Sequence, residues 1–383
     1  MALPPAANRR PARGEDRATR RGAMRRGTAI LAALPGLICM VVAIGRFPGL
    51  PFIAARRTLS HSAVSPPTRS RLKARLRRPR VALAAGAGAG DDIARWFEEA
   101  GYGEVASSRP LGSSDWASFR RVATSSGQEF FVKTSSRSAA RMFLGEARGL
   151  QAMREATVDA GLLRIPEVFH VGDRESAGSF IVMEYLNLGP RNGDAALGRA
   201  VASMHSHRGA EQRRFGFDVN NTIGETPQCN TWSDDWVDFY RRQRLGFQVK
   251  RAGDAYVDSL FKQIAPNLGR LFDDIQVFPS VLHGDLWSGN IGAADGIPTI
   301  FDPAVYYGHH EAEWGMSWCA SLSPRFWQGY RGIIPEDPGF VERRPLYEAY
   351  HQLNHYNMFG GGYLQHATSC LEKVKKALDA KLE

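Results

Sequence analysis

Three polar residues late in the chain are spaced so that they could act on one substrate. Asp285 and Asn290 stand five apart in the loop Val281-Leu282-His283-Gly284-Asp285-Leu286-Trp287-Ser288-Gly289-Asn290, and Asp302 closes the apolar run Thr299-Ile300-Phe301. A loop acid, a loop amide and an acid at a strand end suit phosphoryl transfer. The transition state of that reaction spreads negative charge over phosphate oxygens, so catalysis is mainly metal charge and in-line positioning of a hydroxyl. The plain alternative is a turn between two strands, because Asp and Asn are common turn residues. The three residues together, at these spacings, weigh against it.

This skeleton resembles that of protein kinases. There a loop aspartate receives the acceptor hydroxyl's proton, an asparagine follows five residues on, and a strand-borne aspartate holds magnesium. Gly284 stands where those kinases have arginine, and Pro303-Ala304 follows Asp302 in place of Phe-Gly. That variant resembles the small-molecule branch of the fold: aminoglycoside, choline and ketosamine kinases.

The elements that must position these residues are legible upstream. Val105 to Leu111, Trp116 to Thr124 and Glu129 to Thr134 read as strands separated by turns. In the first turn, Gly112, Ser113 and Ser114 stand where a phosphate-covering loop belongs, with backbone N–H groups for phosphate oxygens; one glycine also fits an ordinary hairpin. Lys133 ends an apolar strand, and Glu146 lies on a following stretch in which Met142, Leu150 and Met153 keep helical spacing. Lys133 alone reads as a surface lysine; ahead of Glu146 and the downstream loop it reads as the phosphate-binding lysine of a lysine–glutamate pair. Ile165 to Val168 and Ser179 to Leu186 read as further strands. The second ends where main-chain groups of Met183, Glu184, Tyr185 and Leu186 would meet adenine at a hinge.

Gly198 to His205 reads as a helix, with His205 in a structural role. The aromatic and amide-rich segment from Phe215 to Trp232 suits sugar binding on a surface loop, or burial as core. Asp234 and Asp235 begin a helix. His309, His310, Glu311 and Glu313 invite a zinc reading, but adjacent side chains diverge, which argues against it.

Composition sets limits. The 383 residues are 43% hydrophobic and 10% aromatic, enough for a sizeable core and two or three domains. The formal net charge of +10 is misleading, because residues 1–90 hold 18 of the 49 basic residues and two of the 39 acids. The body beyond residue 90 is mildly acidic, which gives no support to a nucleic-acid partner. Cys39, Cys229, Cys319 and Cys370 form no Cys-x-x-Cys pair, so neither a zinc site nor a disulfide framework is indicated.

Residues 1–90 do not read as fold. A 19-residue uncharged run spans 27–45, with Pro35-Gly36 at its centre. It fits a signal core or a short membrane helix. The Arg- and Ser-rich stretch behind it, free of acids, resembles an organelle transit peptide. The two together resemble the two-part presequence of algae with complex plastids, so plastid import is expected; a retained anchor at 27–45, which would add membrane contact, or a misassigned start upstream of Met24 are the alternatives. Ala82 to Gly90 is a Gly/Ala linker.

From 91 onward the chain resembles the fructosamine/ketosamine-3-kinase family, within the aminoglycoside phosphotransferase and choline kinase group. The resemblance is carried by Phe-Val-Lys133, Met-Phe-Leu-Gly-Glu146, Ile-Val-Met-Glu184, Pro-Gln-x-Asn-x-Trp232-x-x-Asp235-Trp236, the loop from His283 to Asn290, Asp302-Pro-Ala-x-x-Tyr-Gly308-His309 and Leu-Asn-His355-x-Asn. It implies an α+β, two-lobed protein-kinase-like fold, with a small antiparallel-sheet lobe over 91–185 and a helical lobe over 186–383. It implies ATP-dependent phosphorylation of the sugar 3-hydroxyl of ketosamines on free amines or protein lysines. The unstable product sheds the sugar, so glycated proteins are repaired by a monomer or a dimer. In that reading Asp285 is the base, Asn290 and Asp302 hold Mg²⁺, Lys133 binds phosphate and Glu146 orients it. Trp287 is a sugar platform, and His355, Trp232 and Asp235 are further substrate-side residues. The family's loop cysteine is absent from Gly112-Ser113-Ser114-Asp115, so thiol control there is not expected. Another small-molecule kinase or a silent scaffold remain alternatives.

Overall fold

In the computed structural model, residues 92–383 are described apart from 158–160, 175–177, 192 and 208–212. The presequence, its apolar run and the linker expected over 1–90 lie outside the described residues.

After helix α1 (Asp92–Glu99) come β1 (Val105–Ser113), β2 (Ser118–Thr124), β3 (Glu129–Ser135), helix α2 (Ala140–Thr157), β4 (Val168–Asp173) and β5 (Ser179–Glu184). The strands form one antiparallel sheet in the order β1-β2-β3-β5-β4. Alternation along β3 sorts its side chains between two faces. Phe130 and Val132 pack with Phe97 of α1 and with Val122, Phe180 and Val182. Phe131 packs on the other face with Phe119, Ile181, Met183 and the α2 residues Phe143 and Leu150. Burying one such side chain is worth about 1.5–3 kcal/mol. Lys133 shares Phe131's parity, so the pleat sends it towards α2. There Phe143, Glu146, Leu150 and Met153 are buried at helical spacing, and Glu146 is the polar member of an otherwise apolar stripe.

The rest is mostly helical. β6 (Leu188–Gly189) leads to α3 (Asp194–Ser206), and a small hairpin, β7 (Asn221–Ile223) and β8 (Thr226–Gln228), precedes α4 (Trp236–Phe239), α5 (Gly246–Ala252) and α6 (Ala255–Ile264). β9 (Ser280–Leu282) enters the loop that carries Asp285. The hairpin of β10 (Ile291–Ala294) and β11 (Ile297–Ile300) leaves it, and β12 (Tyr306–Gly308) returns antiparallel to β9. That return lays Asp302 beside the loop. Helices α7 (Pro324–Arg331), α8 (Phe340–Phe359) and α9 (Tyr363–Leu382) close the chain. No helix among the described residues is long and apolar enough to cross a membrane.

Helices α3 and α7 cross at two glycines. A Cβ on Gly198 would lie 2.1 Å from the Phe326 carbonyl oxygen, and one on Gly329 would lie 2.2 Å from that of Ala195. The backbones therefore touch, and the crossing brings Tyr330 of α7 to His205 of α3, whose ring nitrogen Nδ1 lies 2.9 Å from the hydroxyl. Gly329→Ala should push the helices apart and cost about 1–3 kcal/mol, read as a lower urea midpoint. An unchanged midpoint would show that the crossing yields freely.

Candidate active site

The loop between β9 and β10 is held from below by one carboxylate. Glu313 Oε2 accepts the His283 N–H at 2.6 Å, and Oε1 accepts the Gly284 N–H at 2.9 Å. His205 Nε2 lies 3.2 Å from Oε2. With Nε2–H donated there, Nδ1 accepts from the Tyr330 hydroxyl. Burial opposes the Glu313 charge, yet His205 and the loop amide hold its carboxyl below the usual range. Gly284 has φ +79°, and a Cβ there would sit 2.3 Å from the Ala304 carbonyl oxygen, so the turn requires glycine.

The loop's own side chains complete its shape. His283, fully buried, donates from Nε2 to the Phe301 carbonyl at 2.9 Å, and its Nδ1 accepts the Asp285 N–H at 3.3 Å. Burial keeps this imidazole neutral by lowering its pKa, which suits one donor and one acceptor nitrogen. Asn290 donates from Nδ2 to the carbonyls of Asp285 at 2.9 Å and Asp302 at 3.2 Å. One amide thus spans both acids' backbones. Asp302 takes φ +59°, a conformation that Asp tolerates better than most residues.

Lys133 stands between two acids. Its Nζ lies 3.0 Å from Glu146 Oε2 and 2.7 Å from Asp302 Oδ1. Burial pushes the Glu146 carboxyl up and the Lys133 charge pulls it back. Asp285 keeps some solvent access. Even so, desolvation, followed by the charges of Asp302 and Glu313, pushes its carboxyl up to about 8. Acids therefore outnumber bases in this group. The buried Asn290 Oδ1 has no hydrogen-bond partner, an acceptor left over beside that surplus of negative charge. The residues fit a hard divalent cation, which takes carboxylate and amide oxygens.

A pocket of about 470 Å³ opens beside Lys133, lined by Phe119, Phe131, Met183, Glu184, Leu186 and Phe301 among others. Apolar walls with hinge backbone at one end suit a flat purine. Three of the four expected hinge residues line it, whereas the fourth, Tyr185, lies under the Arg121 guanidinium at 4.5 Å. Gly112 and Ser113 end β1, and Ser114 closes a turn by donating its N–H to the Ala117 carbonyl at 2.8 Å. Trp116, read from sequence as the start of a strand, belongs to that turn. Its ring lies 5.0 Å from Lys133 Nζ and packs on Phe143.

Three amides of the segment from Phe215 to Trp232 follow the second of its two readings and are buried. Asn221 donates to the Val305 carbonyl at 2.7 Å and Gln228 to the Ala304 carbonyl at 3.0 Å. Asn230 joins them through Asn221 Oδ1 at 3.0 Å. These buried amides clamp the backbone just after Asp302. Trp232 packs on Tyr307 with ring centroids 5.9 Å apart, and Asp235 caps α4 by accepting the Asp238 N–H. Trp287 lies over Gly289, where a Cβ would meet its ring at 2.1 Å. His355 donates from Nδ1 to the His351 carbonyl at 2.8 Å and packs against Trp318 and Tyr363. Glu311 and Glu313, considered with His309 and His310 for zinc, are spent elsewhere: Glu311 accepts two of the three Arg343 hydrogen bonds, both at 2.7 Å, and Glu313 holds the loop. Sequence reasoning missed Glu313's role because its partners are backbone amides, which leave no residue signature. It also missed Cys319, whose carbonyl accepts the Ser288 N–H at 3.2 Å.

Comparison with known proteins fits this geometry. A family model described as fructosamine kinase matches residues 93–377. A protein of Oryza sativa subsp. indica named protein-ribulosamine 3-kinase, chloroplastic, is 41% identical over 334 residues, covering 85% of this chain and 96% of its own. A solved Thermobifida fusca structure, named as a candidate fructosamine-3-kinase, superposes with TM-score 0.65 at 26% identity, covering 74% of this chain and 99% of its own. An aminoglycoside phosphotransferase structure at 14% identity and TM-score 0.50, covering 74% and 98%, shares the two-lobed fold.

Asp285 also links stability to pH. Between its ordinary value of 3.8 and its folded value of about 8, the folded protein keeps a proton that the unfolded chain has lost. Its stabilising contribution is present at low pH, fades as pH rises, and is gone above about 8. Asp285→Asn cannot ionise, so without divalent cations its Tm should gain on the parent's as pH rises from about 5 to about 9. A constant difference over that range would contradict the raised carboxyl.

Proposed function

The chain belongs to the fructosamine kinase family, and from that membership we propose that it phosphorylates the sugar 3-hydroxyl of ketosamines with ATP. The acceptors are fructosamine or ribulosamine adducts on protein lysines or free amines, and the unstable product releases the sugar and restores the amine. The observation that carries this reading is the junction at Lys133, which reaches Glu146 and Asp302 while Asn290 ties the backbones of Asp302 and Asp285.

In the proposed mechanism Asp285 accepts the proton of the acceptor hydroxyl. Its carboxyl must be ionised for this, and a cation held by Asn290 and Asp302 would favour that form. Bound there, Mg²⁺ would supply positive charge for the phosphate oxygens. Lys133, kept in place by Glu146, binds phosphate, and the pocket beside Met183, Glu184 and Leu186 receives adenine. Gly112, Ser113, Ser114 and Tyr185 would border the nucleotide from the sheet. Trp287, beside the base, offers a ring face to the sugar; His355, Trp232 and Asp235 are placed further out on the acceptor side. The Arg-rich leader, free of acids from residue 17 to residue 90, and the chloroplastic rice relative support work in the plastid.

Purified protein with Mg-ATP should transfer phosphate to a fructosamine and a ribulosamine, and not to choline or an aminoglycoside. Transfer to choline or the aminoglycoside alone would overturn the reading. Asp285→Ala should lose at least ~10³-fold in kcat while still binding nucleotide, because the base acts on the acceptor; comparable turnover would remove Asp285 from that role. Trp287→Ala should raise the KM for the sugar substrate more than it lowers kcat. An unchanged KM would remove the platform.

A further inference from the structure

A second cavity shares no lining residue with the nucleotide pocket. It is a groove of about 1180 Å³ whose walls include Trp318, Leu322, Trp327, Phe340, Arg331 and Arg344. It begins next to the catalytic loop, because Ser317 and Trp318 line it and the next residue, Cys319, accepts the Ser288 N–H. Trp318 is 39% exposed, an unusual state for a large ring beside an active site. Its inner edge packs on His355 at 5.4 Å.

The charge of the groove is as distinctive as its shape. Both charged residues that line it are arginines, and no acid does. Arg331 lies 5.4 Å from the Trp327 ring and pairs with Glu336, and Arg344, exposed on α8, has no carboxylate within salt-bridge distance among the described residues. Elsewhere the body is mildly acidic, with 31 basic and 37 acidic residues beyond residue 90. An acidic segment would be repelled by most of this surface and accepted here.

We propose that this groove docks the polypeptide flanking a glycated lysine, and that it favours an extended segment carrying Asp or Glu beside the modified residue. The inference rests on the function proposed above and adds to it a substrate class, protein-bound adducts in acidic context. The sugar enters at Asp285, the lysine stem leads past Trp318, and neighbouring carboxylates meet Arg344 and Arg331. A free glycated lysine has no flanking residues to lay along the groove, so it carries none of the neighbouring carboxylates that the arginines would select.

The test uses the full chain with three glycated peptides of equal length, whose residues flanking the lysine are acidic, neutral or basic, and with free glycated lysine. The acidic peptide should have a kcat/KM about tenfold above the basic one, falling with added salt as exposed ion pairs do. Arg344→Glu should erase that preference through KM and leave free glycated lysine unchanged; Arg331→Gln, which keeps a polar partner for Glu336, should reduce it. Equal KM for the three peptides, or a preference that survives Arg344→Glu, would overturn the proposal while the kinase reading stands. Absence of turnover on free glycated lysine and on every peptide would overturn both. Self-association that Arg344→Glu abolishes would assign the groove to a second copy of the chain and likewise overturn it.

Discussion

The Glu313 carboxylate, 2% exposed, accepts two consecutive amide protons at the start of the catalytic loop and faces a buried histidine. An ion so far from water persists only if its oxygens are fully engaged, and stripping partners from a buried charge costs about 3–5 kcal/mol. The loop cannot shift without orphaning that charge. The histidine in turn is held by Tyr330, and Tyr330 by the glycine crossing of α3 and α7. A contact between two helix backbones thereby fixes the height of Asp285. The other anchor comes from the opposite side, where Asn221 and Gln228 hold the backbone after Asp302. Asp285 and Asp302 are each positioned through main-chain hydrogen bonds, which side-chain motions disturb little.

How much of this was legible in the sequence depended on where each residue's partner lies. Asp285, Asn290 and Asp302 could be found because their roles fix short spacings along the chain. Lys133 and Glu146 could be paired because strand parity and helix period both point inward, and their side chains meet at 3.0 Å. For Asn221, Gln228 and Asn230 the choice between sugar and core stayed open, because an amide looks the same whether it addresses a sugar hydroxyl or a carbonyl as far off as the one 76 residues from Gln228. The aromatic residue Trp116 looked like strand, yet the turn closed by Ser114 and Ala117 takes it out of the sheet and over Lys133. Adjacency argued against His309, His310 and Glu311 as joint ligands, yet the fold gathers their ligand atoms with that of Asp337 to within 4.8 Å of one another, and Arg343, 32 residues on from Glu311, takes the Glu311 carboxylate. Local pattern carried the elements and the chemistry. Long-range polar pairing, which has no period, did not show.

The contact between Lys133 and Asp302 has a thermodynamic consequence. It bridges 169 residues and joins the sheet to the segment after β11, so in the unliganded protein it fastens the two parts of the site together. A metal held by the carboxylate and a phosphate held by the ammonium would both compete for it. Whichever arrived first would break the pair and free the other half for its partner, so each would lower the cost of binding the second. Linkage makes that benefit mutual. Under the proposed function the site would act as an ion exchanger, trading one internal salt for two external ones, with the metal–nucleotide complex as its counter-salt.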